Sequence, residues 1–420
     1  MNRELKRLTV VVFLMFFTLM TSSTIVQAFQ NENLEANGHN ARALYAGYST
    51  ERGPILANGH PIALSVPSKD RYKFQRSYPE GPLYAAVTGY FTVGQGNTMV
   101  ERSLTNELSG TAKSQFLQKI DSIITGQEPK GASVETTIDP VAQQAAFDAL
   151  GDYQGAIVVI EPKTGRVRAM VSKPSFDPNL LANHDADLIK GVYNTLLSDP
   201  TNPLINRAIG GNLNPPGSVF KLVVAAAAFE SGKYTPESRF PNPLTLQLPG
   251  TNLVIRNAGG HDCGGDDTAT IATAIELSCN VLMAELGQEL GAKALLEQAK
   301  KFGFNTPYDI PIPVEPSVFP TAPDVAQTML SSFGQFEVRA TPLQMAMVSA
   351  GIANGGTIMQ PNLIEAVRNP DLSPISQFQP KVFSQAVSAR TASWLTTIMV
   401  AGVNTGAASN ARISVIPRGV

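Results

Sequence analysis

The feature that most constrains the fold is an enforced helix start in the middle of the chain. Asn214-Pro215-Pro216-Gly217 stands directly before Val219–Phe229, a run that is rich in alanine and apolar except for Lys221. Two prolines and a glycine cannot continue a helix from upstream, so a new helix must begin here. The run is long enough for a buried helix, and Ser231-Gly232 supplies its end. The sequence therefore predicts a buried helix with Ser218 in its first turn.

Ser218 and Lys221 are three residues apart, so their side chains should meet on one face of this helix. A serine is a poor nucleophile until a neighbour takes its proton, and a lysine in an apolar helix can have its pKa lowered enough to do so. The helix N-terminus also favours an oxyanion. An arbitrary Ser-x-x-Lys is usually a helix cap beside a surface lysine. This copy is the only one in the chain, which favours a nucleophile and its base.

A second polar motif, Ser278-Cys279-Asn280, follows downstream. It supplies another hydroxyl and an amide, which such a site needs to relay a proton and to hold a substrate amide. The two motifs together resemble the Ser-x-x-Lys and Ser-x-Asn boxes of the serine acyl-transferases that include penicillin-binding proteins and serine β-lactamases.

The surroundings narrow the resemblance to class B penicillin-binding proteins, of the actinobacterial penicillin-binding protein A type. The similar stretches run from about Arg52 to about Asn362. They are Arg52-Gly53-Pro54-Ile55, Ile157–Val171, Pro174–Asn179, Leu204–Ala208, Gly334-Gln335, Thr341–Gln344 and Ala353–Gly356.

The resemblance implies a peptidoglycan D,D-transpeptidase that cross-links stem peptides through a serine acyl-enzyme. Ser218 would attack the D-Ala-D-Ala carbonyl, with Lys221 as the base for acylation. Ser278 would relay a proton to the leaving amine, and Asn280 would hold the substrate amide. β-Lactams would acylate Ser218 as substrate mimics. The implied partners are stem peptides, β-lactams, the membrane, and glycan-polymerising and cell-division proteins, and no cofactor is implied.

Three other functions stay open at this point. A D,D-carboxypeptidase differs only in using water as the acceptor. A β-lactamase is disfavoured because a membrane anchor and a pedestal module are atypical of that class and no deacylating glutamate stands out. A non-catalytic cell-wall or division scaffold with a vestigial site is favoured by a missing third motif, described below.

The amino terminus predicts a membrane anchor. Arg3, Lys6 and Arg7 precede the uncharged stretch Leu8–Phe29, which is long enough to span a bilayer, and the basic residues should stay on the cytoplasmic side. The competing interpretation is a cleaved signal peptide, since Val26-Gln27-Ala28 resembles a cleavage site. Either way the bulk of the chain, with the catalytic domain, is expected outside the cytoplasm.

A location outside the cytoplasm bears on whether the two cysteines form a disulfide. Cys263 and Cys279 are 16 positions apart, and free buried thiols are the alternative for each. In an oxidising space a disulfide is favoured, and closing a loop of this length would constrain the unfolded chain by about 3 kcal/mol. The bridge would also hold the turn between Ser278 and Asn280.

The predicted fold class is α+β, and the resemblance implies helices on both faces of an antiparallel sheet, here lacking its C-terminal strands. A short polar linker or helix is expected at Gln30–Asn40 and a join at Gln127–Gly131. The strand-like pieces Pro61–Ser65 and Leu83–Val87 belong to a small pedestal module. The expected helices are Pro140–Leu150, Val219–Phe229, Thr270–Leu290, Ala292–Phe302 and Thr341–Ala353. The expected domains are 1–7 (cytoplasmic tail), 8–29 (transmembrane anchor), 30–133 (pedestal) and 134–420 (transpeptidase domain).

The family's third motif, Lys-Thr-Gly on a strand, is not found after Asn280. Lys163-Thr164-Gly165 lies upstream and is interpreted as a hairpin turn. Asn404-Thr405-Gly406 lacks the cation, and Ile416–Val420 resembles the lead-in to the missing strand. We therefore expect the domain to be incomplete at its C-terminus, and residues 1–420 alone to be poorly folded and to take no stable penicillin label.

Composition argues against two other classes. A formal charge of −2 and 16% charged residues provide no basic surface for nucleic acid. The four histidines lack metal-ligand spacing, and His261-Asp262-Cys263 is interpreted as a polar loop.

Overall fold

The structure is a computed structural model, and it describes residues 2–29, 49–92, 94–112, 115, 130–211 and 213–413. Three predicted features lie wholly or partly outside these residues, namely the linker Gln30–Asn40, most of the join Gln127–Gly131, and the terminal Ile416–Val420.

Helices and strands are mixed along the chain, as predicted for an α+β fold. The α-helices are α1 (Asn2–Phe29), α2 (Gly81–Thr88), α3 (Met99–Ser103), α4 (Thr105–Leu108), α5 (Pro140–Leu150), α6 (Ala186–Ser198), α7 (Lys221–Glu230), α8 (Ile271–Glu276), α9 (Asn280–Lys301), α10 (Val325–Ser331), α11 (Pro342–Ala353) and α12 (Ala389–Asn404). The strands are β1 (Ile55–Ala57), β2 (His60–Pro67), β3 (Phe74–Ser77), β4 (Phe91–Thr92), β5 (Gly96–Asn97), β6 (Ser133–Thr136), β7 (Gly155–Ile160), β8 (Val167–Lys173), β9 (Arg239–Pro241), β10 (Thr245–Gln247), β11 (Val254–Arg256), β12 (Thr268–Thr270), β13 (Thr357–Met359), β14 (Ile364–Arg368), β15 (Pro374–Gln377) and β16 (Val382–Gln385).

Helix α1 is long and apolar enough to cross a membrane, and it is the one such helix in the described part of the chain. Its 28 residues extend about 42 Å at 1.5 Å per residue, more than the roughly 30 Å of a hydrocarbon core. Between Arg3 and Val26 an 18-residue window has a mean hydropathy of 2.0, and none of that window is buried against the rest of the chain.

A six-stranded sheet joins distant parts of the sequence. Its order is β15-β14-β6-β1-β2-β3, with β6 parallel to β1 and antiparallel to β14. Strands on both sides of the predicted boundary at residue 133 therefore share one hydrogen-bonded sheet. Because strand pairing between segments this far apart leaves no local signal, sequence patterns did not reveal it.

A buried ion cluster holds the amino-terminal end of this sheet. The Glu101 carboxylate is fully buried and accepts hydrogen bonds at 2.6 Å from Nε of Arg52 and from Nε of Arg76. Burial alone would raise the pKa of Glu101, but the charges of Arg76 and Arg52 outweigh it and hold that pKa below its usual value. The cluster connects the segment before β1 to β3 and α3.

The strand prediction for this region is half right. Pro61–Ser65 lies in β2, which confirms a strand there, but the predicted strand at Leu83–Val87 is wrong, because these residues lie in α2. Pro82 occupies the first turn of α2, where the missing N–H costs nothing. The sequence of a short helix that is buried on most sides is a continuous apolar run. Periodicity cannot distinguish such a run from a buried strand.

The predicted hairpin is present, and helices cover both of its faces. Strands β7 and β8 pair antiparallel, with Ile157 opposite Val171 and Val158 opposite Met170. Helix α5 packs on the face that carries Ile157 and Val171, and Leu343 at the start of α11 packs in the cluster with Val158 and Met170. Lys163-Thr164-Gly165 forms the turn between the strands, which confirms its interpretation as a turn.

The predicted helices are confirmed at Pro140–Leu150, at Thr341–Ala353 and after Ser218, but the continuous helix Thr270–Leu290 is wrong. It breaks between α8 and α9, and Ser278 at the break has φ +60°. The carbonyls of Ala274 and Ile275 accept hydrogen bonds from the N–H groups of Cys279 and Ser278, which is the six-to-one and five-to-two pattern of a helix end. A residue other than glycine in this conformation is not expected from its sequence alone.

Candidate active site

The nucleophile candidate sits where two glycines let two segments touch. Gly217–Phe220 form a turn of 3₁₀-helix that continues into α7. The N–H of Gly217 donates to the carbonyl of Gly334 at 3.0 Å. A Cβ atom on Gly334 would lie 2.1 Å from the Gly217 oxygen, so this close approach requires glycine there. The contact holds the first turn beside Ser218 in place.

Lys221 is buried under the exposed Ser218. Its Nζ atom lies 3.2 Å from Ser218 Oγ and 3.2 Å from Ser278 Oγ. It also donates to the Ser278 carbonyl at 2.7 Å and to Asn280 Oδ1 at 2.8 Å. Ser218, Ser278 and Asn280 therefore all lie around Lys221 Nζ, so the structure brings together the four residues that were predicted to be catalytic or substrate-binding.

The lysine is arranged to accept a proton. Burial lowers the pKa of Lys221 to about 8, so about a tenth of it is neutral at pH 7. A neutral amine has two N–H bonds and one lone pair. If the two N–H bonds go to the nearer oxygens, on Ser278 and Asn280, the lone pair is left to the two hydroxyls. Lys221 can then take a proton from Ser218 or exchange one with Ser278.

A disulfide adjoins the Ser278 turn. Cys263 and Cys279 are joined in the structure, with their Cα atoms 5.9 Å apart. Asn242 holds the other end of the bridge, because its side chain accepts from the Cys263 N–H at 2.8 Å and donates to the carbonyl of that residue at 3.1 Å. The loop that ends at Cys263 is therefore attached to the turn that carries Ser278 and Asn280.

Asn257 is a site residue that the sequence analysis missed. The N-cap position of α9 is Cys279, whose side chain makes no capping hydrogen bond. Asn257 Oδ1 takes that role from another loop and accepts from the N–H groups of Asn280 at 2.7 Å and Val281 at 3.0 Å. One available signal was that cysteine is a poor helix cap, so a cap from elsewhere was needed.

The hydroxyl of Ser218 opens into a cleft of about 570 Å³. Its lining combines polar side chains, among them Ser218 and Asn280, with apolar ones. The remaining lining residues are Gly217, Leu330, Phe333, Gln335 and Phe336. Gly334-Gln335 was noted in the sequence as a family marker, but its place beside the nucleophile was not. The cleft therefore gives a ligand access to the exposed Ser218 hydroxyl.

Asn404-Thr405-Gly406 lies at the end of a helix, behind the Ser278 turn. Asn404 is the last residue of α12, and Thr405 Oγ1 donates to Glu276 Oε1 at 2.8 Å. Gly406 packs so closely on Glu276 that a Cβ atom would lie 2.3 Å from its carbonyl oxygen. In the part of the chain that the structure describes, no cluster of three or more potential metal ligands occurs.

Two families match the chain in adjacent segments. Residues 155–418 match the penicillin binding protein transpeptidase domain, and residues 52–134 match the penicillin binding protein A dimerisation domain. The chain is 39% identical over 407 residues to the peptidoglycan D,D-transpeptidase PbpA of Mycolicibacterium smegmatis, which covers 96% of this chain and 82% of that protein.

Solved structures agree with this likeness. The crystal structure of PBPA from Mycobacterium tuberculosis superimposes with a TM-score of 0.83 at 38% identity, over 85% of this chain and 82% of that one. The penicillin G acyl-enzyme complex of the same protein gives a TM-score of 0.82 at 38% identity, over 84% of this chain and 82% of that one.

Proposed function

Since the chain belongs to the penicillin-binding protein transpeptidase family, we propose that it is a peptidoglycan D,D-transpeptidase. The single observation that carries this proposal is the position of Lys221 Nζ, 3.2 Å from the hydroxyls of both Ser218 and Ser278. A scaffold has no need of a buried lysine with a lowered pKa beneath an exposed serine. A base held against two hydroxyls is the arrangement that acyl transfer needs.

In the acylation step, Ser218 Oγ forms a bond to the penultimate D-alanine carbonyl carbon of a stem peptide. Lys221 takes the hydroxyl proton, and the N–H of Ser218 in the first helical turn donates to the oxyanion. The amide bond to the terminal D-alanine then breaks. Ser278 passes a proton from Lys221 to the leaving nitrogen, and D-alanine departs as a free amino acid. Asn280 Nδ2, which donates at 3.0 Å to the Arg256 carbonyl, would turn to hold a substrate amide.

In the second step an amine of another stem peptide attacks the acyl carbon. That amine loses a proton to Lys221 through the Ser278 hydroxyl, the ester bond to Ser218 breaks, and Lys221 returns a proton to the Ser218 oxygen. A new amide bond links the two peptides. A β-lactam would enter the first step and stop there, because its ring-opened product does not leave the site.

The expected assay result is D-alanine release matched by cross-linked product. A stem pentapeptide ending in D-Ala-D-Ala is incubated with an acceptor amine and the protein with a complete transpeptidase domain, and both products are quantified by mass spectrometry. Pre-treatment with penicillin should remove both, which is the control for Ser218-dependent chemistry. Release of D-alanine without coupling would identify a carboxypeptidase instead. If neither product forms and no penicillin is bound, the proposal is wrong.

For the remaining domains we propose a single-pass anchor at residues 8–29 with residues 1–7 in the cytoplasm. Residues 30–133 form a non-catalytic pedestal and 134–420 the transpeptidase domain, on the outer side. The uncharged length of α1 and the basic residues before it support this topology. Glycan-polymerising and division proteins are the partners that such a placement favours.

We expect the mature protein to keep its amino-terminal residues. Amino-terminal sequencing of the protein extracted from membranes with detergent should begin at or near Met1. Carbonate washing, which removes peripheral proteins, should leave it in the membrane. A mature start at Phe29 would mean cleavage after Ala28 and would replace the anchor by a signal peptide.

A further inference from the structure

We propose that Asn257 is a positioning residue that holds Asn280 against Lys221. Its side chain is buried, and it belongs to the loop between β11 and the disulfide cysteine Cys263. The inference rests on the proposed function and adds Asn257 to the residues that position the Ser278-Cys279-Asn280 motif.

The hydrogen bonds connect Asn257 to Lys221 through Asn280. Its Oδ1 accepts from the main-chain N–H of Asn280 at 2.7 Å and of Val281 at 3.0 Å. Its Nδ2 donates to the His261 carbonyl at 3.1 Å. The buried Asn257 side chain therefore uses both its oxygen and its nitrogen in hydrogen bonds, and these bonds hold it in one rotamer. The Asn280 main chain is held to the loop, while its side chain is left to accept from Lys221 at 2.8 Å.

Within the described part of the chain, no other side chain takes this role at the start of α9. Cys279 makes no capping hydrogen bond, and Ser278 is in a left-handed turn conformation with φ +60°. The helix would otherwise begin with unsatisfied N–H groups directly beside the reacting atoms. Without Asn257, the first turn of α9 is free to shift, and Asn280 Oδ1 shifts with it.

The direction in which substitutions at Asn257 change the pKa of Lys221 follows from the groups around Lys221. Burial causes its lowered pKa, and its Nζ contacts are to uncharged groups of Ser218, Ser278 and Asn280. Of the titratable side chains on the segments that carry Asn257, Ser278 and Asn280, Arg256, His261 and Asp262 are exposed, and Glu276 and Glu285 are half-buried.

Two substitutions should therefore move Lys221 in opposite directions. Asn257→Ala releases Asn280, so the ammonium loses an oxygen acceptor and the pKa of Lys221 should fall further. Asn257→Asp keeps an oxygen that accepts both N–H groups and places a negative charge at the helix start, so the pKa of Lys221 should rise.

The experiment uses detergent-solubilised protein with a complete transpeptidase domain and measures the rate of acylation by a fluorescent penicillin from pH 6 to 10. N257A should lower the high-pH rate about 10-fold or more, because the reacting groups are displaced. N257D should stay within about three-fold of the unmodified protein at high pH, with its midpoint shifted upward by roughly half a pH unit or more. Asp185→Ala is the matched control. Asp185 accepts from two N–H groups at the start of α6, at 3.0 and 3.1 Å, and its loss should change neither quantity.

A second readout does not depend on transpeptidase chemistry. The pH dependence of Lys221 modification by an amine-acylating reagent, followed by mass spectrometry, reports its protonation directly. If the unmodified protein takes no penicillin, the proposed function fails, but opposite shifts in N257A and N257D still support the positioning role. Unshifted Lys221 midpoints in both variants, or shifts in the same direction, would overturn it. If N257A does not fold, an unshifted midpoint in N257D alone overturns it.

Discussion

Replacing Ser218 with alanine is expected to abolish covalent labelling by penicillin. The Ser218 hydroxyl is exposed in the cleft and lies 3.2 Å from the buried Lys221 amine, so it is the group that can be deprotonated and reach a ligand. The measurement is a fluorescent penicillin gel on membranes that contain the protein with a complete transpeptidase domain. Peptide mapping of the unmodified protein should place the adduct on Ser218.

Two serine variants make this result specific. Ser278→Ala should still be labelled on Ser218, but more slowly, because Ser278 is assigned a proton relay and not the bond-forming oxygen. Ser349→Ala, an exposed serine on α11, should label as the unmodified protein does. An adduct mapped to Ser278, or undiminished labelling of S218A, would contradict the assignment.

Replacing Lys221 with alanine is expected to slow acylation by at least about 10²-fold, the lower range for loss of a positioned base. The variant removes the one amine that contacts both hydroxyls among the described residues. Lys221→Met, which keeps the volume of the buried side chain, should slow acylation to the same extent. Matched activity losses in K221A and K221M would separate the missing base from a cavity in the core.

The pH dependence of the acylation rate is a second test of Lys221 as the base. The neutral form of Lys221 accepts the proton, and burial lowers its pKa to about 8. The acylation rate of the unmodified protein should therefore rise roughly tenfold per pH unit below that value and level off above it. Lys190→Ala, at an exposed lysine on α6, should leave both the rate and this profile unchanged. A K221A variant with the same profile as the unmodified protein would assign the base elsewhere.

Local chemistry made much of the site predictable. Prolines followed by a glycine enforce a helix start, and the spacing of Ser218 and Lys221 brings them to one face of that helix. The hairpin β7–β8 and the helix α5 also follow from short-range patterns. The strand predicted at Leu83–Val87 shows where such patterns fail, since a short buried helix and a buried strand have the same composition.

Short-range sequence patterns predicted the four residues that meet at the candidate site, and they predicted the start of the helix that carries Ser218 and Lys221. Only the tertiary structure brings them together: Lys221 contacts Ser278 and Asn280 across 57 and 59 positions, and β1 pairs with β6 across the predicted domain boundary. It also decided the left-handed turn at Ser278 and the cap that Asn257 provides from another loop. Backbone dihedrals and i,i+3 spacing are encoded within a few residues, whereas a contact between distant segments depends on how the whole core packs, and short-range patterns carry no record of it.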